Sequence, residues 1–182
     1  MELYTDLEWL SHNQKIIVAG FFIPGKLKTQ LYDETLNKSS FFKILDMLNP
    51  KTDFIFFHGP DIGYLEKLFK VNIRDQFNCI NVQKILSTFT RFKKVSLKRL
   101  EKVFKIKRYH KVLEHHEIRR FWKYGGKWKD MVLRYNMEDI INLYRLKGLL
   151  FNKYSLNNEK MLDIRLTQNV SSRKNQKKYK YK

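Results

Sequence analysis

The chain has 182 residues, 43% of them hydrophobic, which suits one well-packed domain with a tail but is too short for two full domains. Its single cysteine, Cys79, excludes an internal disulfide and is expected to be a small buried side chain. No signal-peptide pattern opens the chain, and the longest apolar run, residues 16–23, is far too short to cross a bilayer, so we expect a cytoplasmic protein without a membrane partner.

The net charge of +19 resides in the second half of the chain. Residues 1–90 contain 10 Lys and Arg against 10 Asp and Glu, whereas residues 91–182 contain 27 against 8. In the densest stretch, residues 91–111, Glu101 is the only acid. A solvated helix usually carries both signs, so this asymmetry favours a basic face that binds a phosphate backbone over a plain surface helix.

In chain order, the sequence predicts three strands and then helices in alternation with further strands. The strands are expected at residues 3–10, 15–23, 27–32, 53–58 and 77–82. The helices are expected at residues 61–70, 83–89, 97–104, 117–124 and 128–154, after a first helix capped by Ser39 or Ser40 and ending at Leu48. Turn residues separate the first three strands, which should form an antiparallel meander, and the later strands should be parallel.

We therefore predict an α/β fold with a mixed sheet of about five strands, flanked by helices. The predicted domain covers residues 1–155. Residues 156–182 are polar, end in a basic run and lack apolar periodicity, so this tail should be disordered when free and should add affinity for a phosphate backbone.

Three acidic motifs lie on these elements. Asp6 and Glu8 belong to the first strand, Asp61 opens the helix after the fourth strand, and Tyr135 and Asp139 lie in the last helix. Residues i and i+2 share one face of a strand, and residues i and i+4 share one face of a helix, so each pair can point to one place. Clustered carboxylates suit Mg²⁺ or Mn²⁺, and two ions about 4 Å apart stabilise a phosphodiester displacement. The motifs together predict metal-dependent cleavage of nucleic acid.

Each motif alone has a simpler structural explanation. An Asp-x-Glu pair occurs by chance in many strands. Asp61 alone could be a helix N-cap, and Tyr135 with Asp139 could be a surface pair. The hypothesis of one shared site therefore depends on the joint order, spacing and structural context of the motifs.

This order and spacing resemble the tyrosine-type DEDD exonucleases of the ribonuclease H-like superfamily, also called DnaQ-like. The local strings at residues 57–62 and 135–143 are similar to the small, predicted ribonuclease H-like exonuclease domains of bacteria and archaea. The histidine-type branch would need a histidine where this chain has Arg134. The resemblance implies a ribonuclease H-like fold and 3′-to-5′ hydrolysis of single-stranded or frayed DNA or RNA to nucleoside monophosphates.

The resemblance also implies roles for the acidic motifs. It makes Asp6, Glu8, Asp61 and Asp139 the ligands of two Mg²⁺ or Mn²⁺ ions, and Tyr135 the residue that positions the attacking water. The chain departs from the family pattern at Pro60, where many relatives have Asn or a Gly-rich turn with an aromatic residue. Proline is tolerated in the first turn of a helix, so the next carboxylate stays available, whereas base packing near this turn is left open.

Further residues are predicted to contact nucleic acid. Trp128 follows two glycines and is expected to be exposed, where its ring could stack on an unpaired base, whereas Phe121 and Trp122 are at least as well placed for the core. The predicted backbone contacts are Lys93, Lys94, Lys98, Arg99, Lys102, Lys177 and Lys178. Two alternatives remain open: a structure-selective endonuclease on the same fold, and a nucleic-acid-binding module that has lost catalysis.

Overall fold

Five strands form one mixed sheet in the computed structural model, which describes residues 1–10, 15–89 and 95–164. Their spatial order is β3-β2-β1-β4-β5, where β1 to β3 are antiparallel and β4 and β5 run parallel to β1. The strands are β1 (Glu2–Leu10), β2 (Lys15–Ile23), β3 (Leu27–Tyr32), β4 (Phe54–Phe57) and β5 (Asn78–Asn81). The predicted α/β fold with a meander followed by parallel strands is confirmed.

Up to residue 154, seven helices among the described residues accompany the sheet, together with a 3-10 turn at Asp33–Thr35. They are α1 (Lys38–Leu45), α2 (Asp61–Phe69), α3 (Ile73–Gln76), α4 (Val82–Phe89), α5 (Leu97–Val103), α6 (His115–Tyr124) and α7 (Gly126–Tyr154). The predicted cap of α1 was wrong, because the Asn37 side chain, and not a serine, accepts the Ser40 N–H. Gly125 and Gly126 have φ of +68° and +49°, so α7 starts directly after α6, earlier than predicted.

The alternation of β1 separates two packing layers. Leu3 and Leu7 point into a core formed with α1 and α2, whereas Tyr4 points to the opposite face, into a core formed with α4, α5 and α7. Asp6 and Glu8 have the same parity as Tyr4, so they lie on the face that α7 covers. The strand period therefore presents both acids to the long C-terminal helix.

A close approach between β2 and α7 fixes this arrangement. Gly20 lies opposite Asp6 in the β1–β2 register, and a Cβ atom at Gly20 would collide with the side chains of Ile140 and Asn136. Asn136 donates hydrogen bonds to the Asp6 Oδ2 atom at 3.0 Å and to its backbone oxygen at 3.2 Å, and it accepts one from Gln30 at 2.9 Å. The missing side chain at Gly20 thus lets α7 position Asp6.

Packing continues beyond the predicted domain boundary at residue 155. Leu156 and Met161 are buried against the α4–α5–α7 core, and residues 158–164 are helical. These apolar side chains are scattered among polar residues, so composition alone does not predict that they pack into the core. Residues 165–182 lie outside the described residues.

Two smaller expectations concern burial and membranes. Cys79 is 3% exposed and packs in the core with α1 and α2, as expected of a small apolar side chain. Within residues 1–10, 15–89 and 95–164, no helix combines the length and apolar character needed to cross a membrane.

Candidate metal centre

Three of the predicted metal ligands converge where β1 faces α7. Asp6 and Glu8 from β1 and Asp139 from α7 each offer a carboxylate oxygen, and these three oxygens lie within 4.8 Å of one another. Glu8 and Asp139 are each 6% exposed, and Asp6 is half-buried. Such an all-oxygen set of buried carboxylates suits a hard divalent cation such as Mg²⁺ or Mn²⁺.

Asp61 lies beside this group but is not one of its three members. It is the first residue of α2, only 2% exposed, and its carboxylate accepts a hydrogen bond from the His58 backbone N–H. Its Oδ2 atom is buried and has no hydrogen-bond partner among the described residues. A buried carboxylate oxygen without a partner costs free energy, which a bound cation would offset.

The four acids are buried close together, and this raises the pKa value of each one. Burial first, and then the charge of Asp139, raises the pKa values of Asp6, Glu8 and Asp61 well above their usual range. Burial likewise raises the pKa of Asp139 to about 6, against the opposing effect of Arg108. A divalent cation would reverse these shifts, because it stabilises the ionised form of each ligand.

These shifts predict that the metal-free protein loses stability as the pH rises. Each raised carboxyl binds more protons folded than unfolded, so the free energy of unfolding falls from about pH 4 upward, through the folded pKa of each group. His58 opposes this trend only below about pH 6.5, because its pKa is lowered to about 4. In EDTA we therefore expect a lower Tm at about pH 8 than at about pH 6.5, with Mn²⁺ removing much of the difference. Thermal unfolding followed by circular dichroism tests this, and a Tm that rises with pH in EDTA would contradict it.

Arg108 is a buried cation of the site that the sequence analysis placed on the basic surface. Its side chain is 10% exposed and forms ion pairs with Asp139, with Glu101 at 2.8 Å and with Glu138 at 3.7 Å. Glu101 also accepts a hydrogen bond from Asn142 on α7 at 2.8 Å. One sequence feature does point to this ion pair. Glu101 is the only acid in residues 91–111, and an isolated acid among many Lys and Arg residues can pair with one of them.

Tyr135 is placed one helical turn from Asp139, as the spacing predicted. Its hydroxyl donates a hydrogen bond to the Asp139 carboxylate, and burial together with nearby carboxylates raises the pKa of the phenol. Lys98 and Arg108 both lie over its ring, each 5.2 Å from the centroid. The phenol therefore stays protonated and can donate a hydrogen bond at the site.

Among the described residues, Lys98 is the predicted nucleic-acid contact that borders the metal-binding carboxylates. Its ammonium donates to the backbone oxygen of Leu113 at 2.8 Å, and its charge lowers the pKa of Glu8. Lys98 also lines a cleft of about 1350 Å³ that includes Asp6, Glu8, Asp61, Tyr135 and Asp139. All five predicted catalytic residues thus border one cavity.

The other predicted contacts differ in their placement. Arg99 and Lys102 are exposed on α5, whereas Lys93, Lys94, Lys177 and Lys178 lie outside the described residues.

The expectation of an exposed Trp128 was wrong: its ring is half-buried and packs on Phe121 with a centroid distance of 4.8 Å. The glycines before Trp128 allow a sharp turn between two helices, and that turn brings the ring onto α6.

Comparison with known proteins gives one match. A family model described as the RNase_H superfamily matches residues 3–151, which include the five strands apart from Glu2, α1 to α6 and most of α7. Searches of curated proteins and of solved structures find no significant match.

Proposed function

Because the chain belongs to the ribonuclease H superfamily, we propose that it is a metal-dependent 3′-to-5′ exonuclease that releases nucleoside monophosphates from single-stranded or frayed DNA or RNA. The observation that carries this proposal is the convergence of Asp6, Glu8 and Asp139 within 4.8 Å. Family membership supports a nuclease, whereas the exonuclease polarity rests on the resemblance of the Tyr135 and Asp139 motif to tyrosine-type enzymes.

Asp6, Glu8, Asp61 and Asp139 would hold the ions, and their oxygen donors, burial and raised pKa values fit a divalent cation. Bound Mg²⁺ or Mn²⁺ would lower the pKa of the attacking water and would neutralise the negative charge that develops on the leaving 3′ oxygen. Because its pKa is raised, Tyr135 keeps the proton that it donates to Asp139, and its oxygen would accept a hydrogen bond from the attacking water and so orient it.

The cations beside the carboxylates fit an anionic substrate. Lys98 lies in the cleft next to Tyr135 and Glu8, where it can contact a phosphate of the bound strand. Arg99 and Lys102, exposed on the same helix, extend the positive surface away from the cleft. A strand that ends at the carboxylates would therefore meet positive charge along α5.

Digestion of linear and circular substrates tests the proposed polarity. We would incubate 5′-labelled linear single strands of DNA and RNA, a 3′-blocked strand and circular single strands with Mn²⁺, with EDTA reactions as controls. The proposal predicts a ladder that shortens from the 3′ end of the free linear strands, and intact circles. Cleaved circles would select the structure-selective endonuclease, and binding without cleavage of any substrate would select the non-catalytic module.

Replacement of Tyr135 by Phe is expected to reduce turnover only moderately. The variant loses one hydrogen bond to the attacking water and the one to Asp139 but retains all four carboxylates, so we expect a loss of roughly 10- to 100-fold in kcat. The Mn²⁺ concentration that gives half-maximal activity should change by a smaller factor than kcat does. Single-turnover assays over a Mn²⁺ series measure both quantities. A folded Tyr135→Phe variant with wild-type kcat would remove the phenol from the mechanism.

A further inference from the structure

A basic segment between α5 and α6, residues 105–111, is held firmly against α7, and we call it the strap. The backbone N–H groups of Tyr109 and His110 both donate to the carboxylate of Glu138, the second at 2.9 Å. Glu138 is only 6% exposed, so this anchor lies in the interior of the protein. Arg108 adds the ion pairs to Glu101, Glu138 and Asp139.

Consecutive residues of the strap point in opposite directions. Arg108 points inward to the metal centre, whereas the Tyr109 side chain is 68% exposed, more than any other large hydrophobic side chain among the described residues. The Lys107 ammonium lies 4.9 Å from the centroid of the Tyr109 ring. Lys105 is also exposed, whereas Lys111 is exposed but paired with Glu117 at 2.7 Å, so Lys105 and Lys107 give the outer face of the strap its positive charge.

This outer face has the composition of a single-strand binding platform. Exposed aromatic rings stack unpaired bases, and neighbouring cations contact the backbone phosphates. The Tyr109 ring contributes little to the core at this exposure, whereas its backbone is fixed by Glu138. An aromatic side chain on a fixed backbone loses little conformational entropy when a base stacks on it.

We propose that Tyr109 and Lys107 form a stacking platform for single-stranded nucleic acid, fixed by Glu138 and adjacent in the chain to the arginine that contacts the metal centre. The inference rests on the proposed nuclease function and adds a binding surface to it. Tyr109 does not line the cleft, so the platform would hold a nucleotide of the strand outside the reacting position.

Fluorescence anisotropy in EDTA separates this binding from cleavage. Labelled single-stranded DNA, single-stranded RNA and duplex DNA would be titrated with the wild type, Tyr109→Ala, Tyr109→Phe and Lys107→Ala. Phe42 on α1, although half-buried, gives a control for the loss of a ring beside a lysine, because Lys38 lies 5.5 Å from its ring centroid in the half of the chain without net charge. Circular dichroism would verify that each variant is folded.

We expect Tyr109→Ala to weaken binding to single strands about 10-fold or more, whereas Tyr109→Phe and Phe42→Ala retain wild-type affinity. Lys107→Ala should make the dependence of log affinity on log salt shallower by roughly 0.7, and Tyr109→Ala should leave that slope unchanged. These results would support a stacked base and a neighbouring phosphate contact.

Wild-type affinity in Tyr109→Ala would overturn the platform while leaving the nuclease proposal intact. An equal loss of affinity for single strands and for duplex DNA would also overturn it, because the surface would then bind any phosphate backbone without stacking an unpaired base. If the wild type neither bound nor cleaved single strands with Mn²⁺ present, the nuclease proposal itself would fail. Comparison of the DNA and RNA titrations would show which strand the platform prefers.

Discussion

Replacing Glu8 by Gln, or Asp6 by Asn, is expected to lower hydrolysis of single-stranded nucleic acid at least about 100-fold. Metal ions provide several kcal/mol of charge stabilisation in the transition state, and each 1.36 kcal/mol corresponds to about a tenfold change in rate. Both side chains contribute to the group of oxygens within 4.8 Å, so either change removes a charged ligand with little change in shape. Single-turnover assays at saturating Mn²⁺ would measure the loss.

The same variants should unfold at a higher temperature than the wild type in EDTA. In the wild type, burial and the neighbouring carboxylates raise the pKa values of Asp6 and Glu8, so these side chains oppose folding when they are ionised and no cation is bound. Glu34→Gln is the control, because Glu34 is exposed and lies in the 3-10 turn after β3. This change should alter neither the rate of hydrolysis nor the unfolding temperature. Near-normal turnover in folded Glu8→Gln or Asp6→Asn would remove that residue from the reaction.

Replacing Arg108 by Met is expected to lower the free energy of unfolding by about 3–5 kcal/mol, since removing one partner of a buried ion pair leaves uncompensated charge. The lost guanidinium would leave Glu101, Glu138 and Asp139 buried without their shared cation. Urea denaturation in EDTA, followed by circular dichroism, would measure the change.

Two further variants sharpen this result. Arg134→Met removes an exposed arginine from α7, the helix that carries Asp139, and should change stability by less than about 0.5 kcal/mol. Arg108→Lys keeps the charge but loses the planar, multidentate hydrogen bonding, so its stability should fall between those of Arg108→Met and the wild type. If Arg108→Met were as stable as Arg134→Met, the ion-pair network would contribute nothing to folding.

Local periodicity carries enough information to predict the sheet and the acidic pairs. The period of two along β1 places Asp6 and Glu8 on one face, and the period of 3.6 along α7 places Tyr135 near Asp139. The polar turns and the continuously apolar strands then give the order of elements. These features need no knowledge of contacts between distant parts of the chain.

Features that depend on tertiary contacts could not be predicted in this way. Arg108 contacts Asp139 across 31 residues of chain, and only the path of the strap determines that it points inward while Tyr109 points outward. Trp128 illustrates the same limit to local patterns, because the turn at Gly125 and Gly126 decides which surface its ring meets.

The site combines four carboxylates with two nearby cations of different placement. Arg108 is buried and pairs with Asp139, whereas Lys98 borders the cleft near Glu8. Two cations cannot neutralise four acids, and the raised pKa values of the carboxyl groups reflect burial first and then this remaining negative charge. A divalent cation is the simplest ligand that restores the balance.

Calorimetric titration of Mn²⁺ into the metal-free protein would measure metal binding at these carboxylates. We expect saturable binding to the wild type that is weakened at least about 10-fold in Glu8→Gln and unchanged in Glu34→Gln, because Glu8 supplies one of the converging oxygens. Absence of Mn²⁺ binding, or equal affinity in the wild type and Glu8→Gln, would contradict a metal centre at these carboxylates.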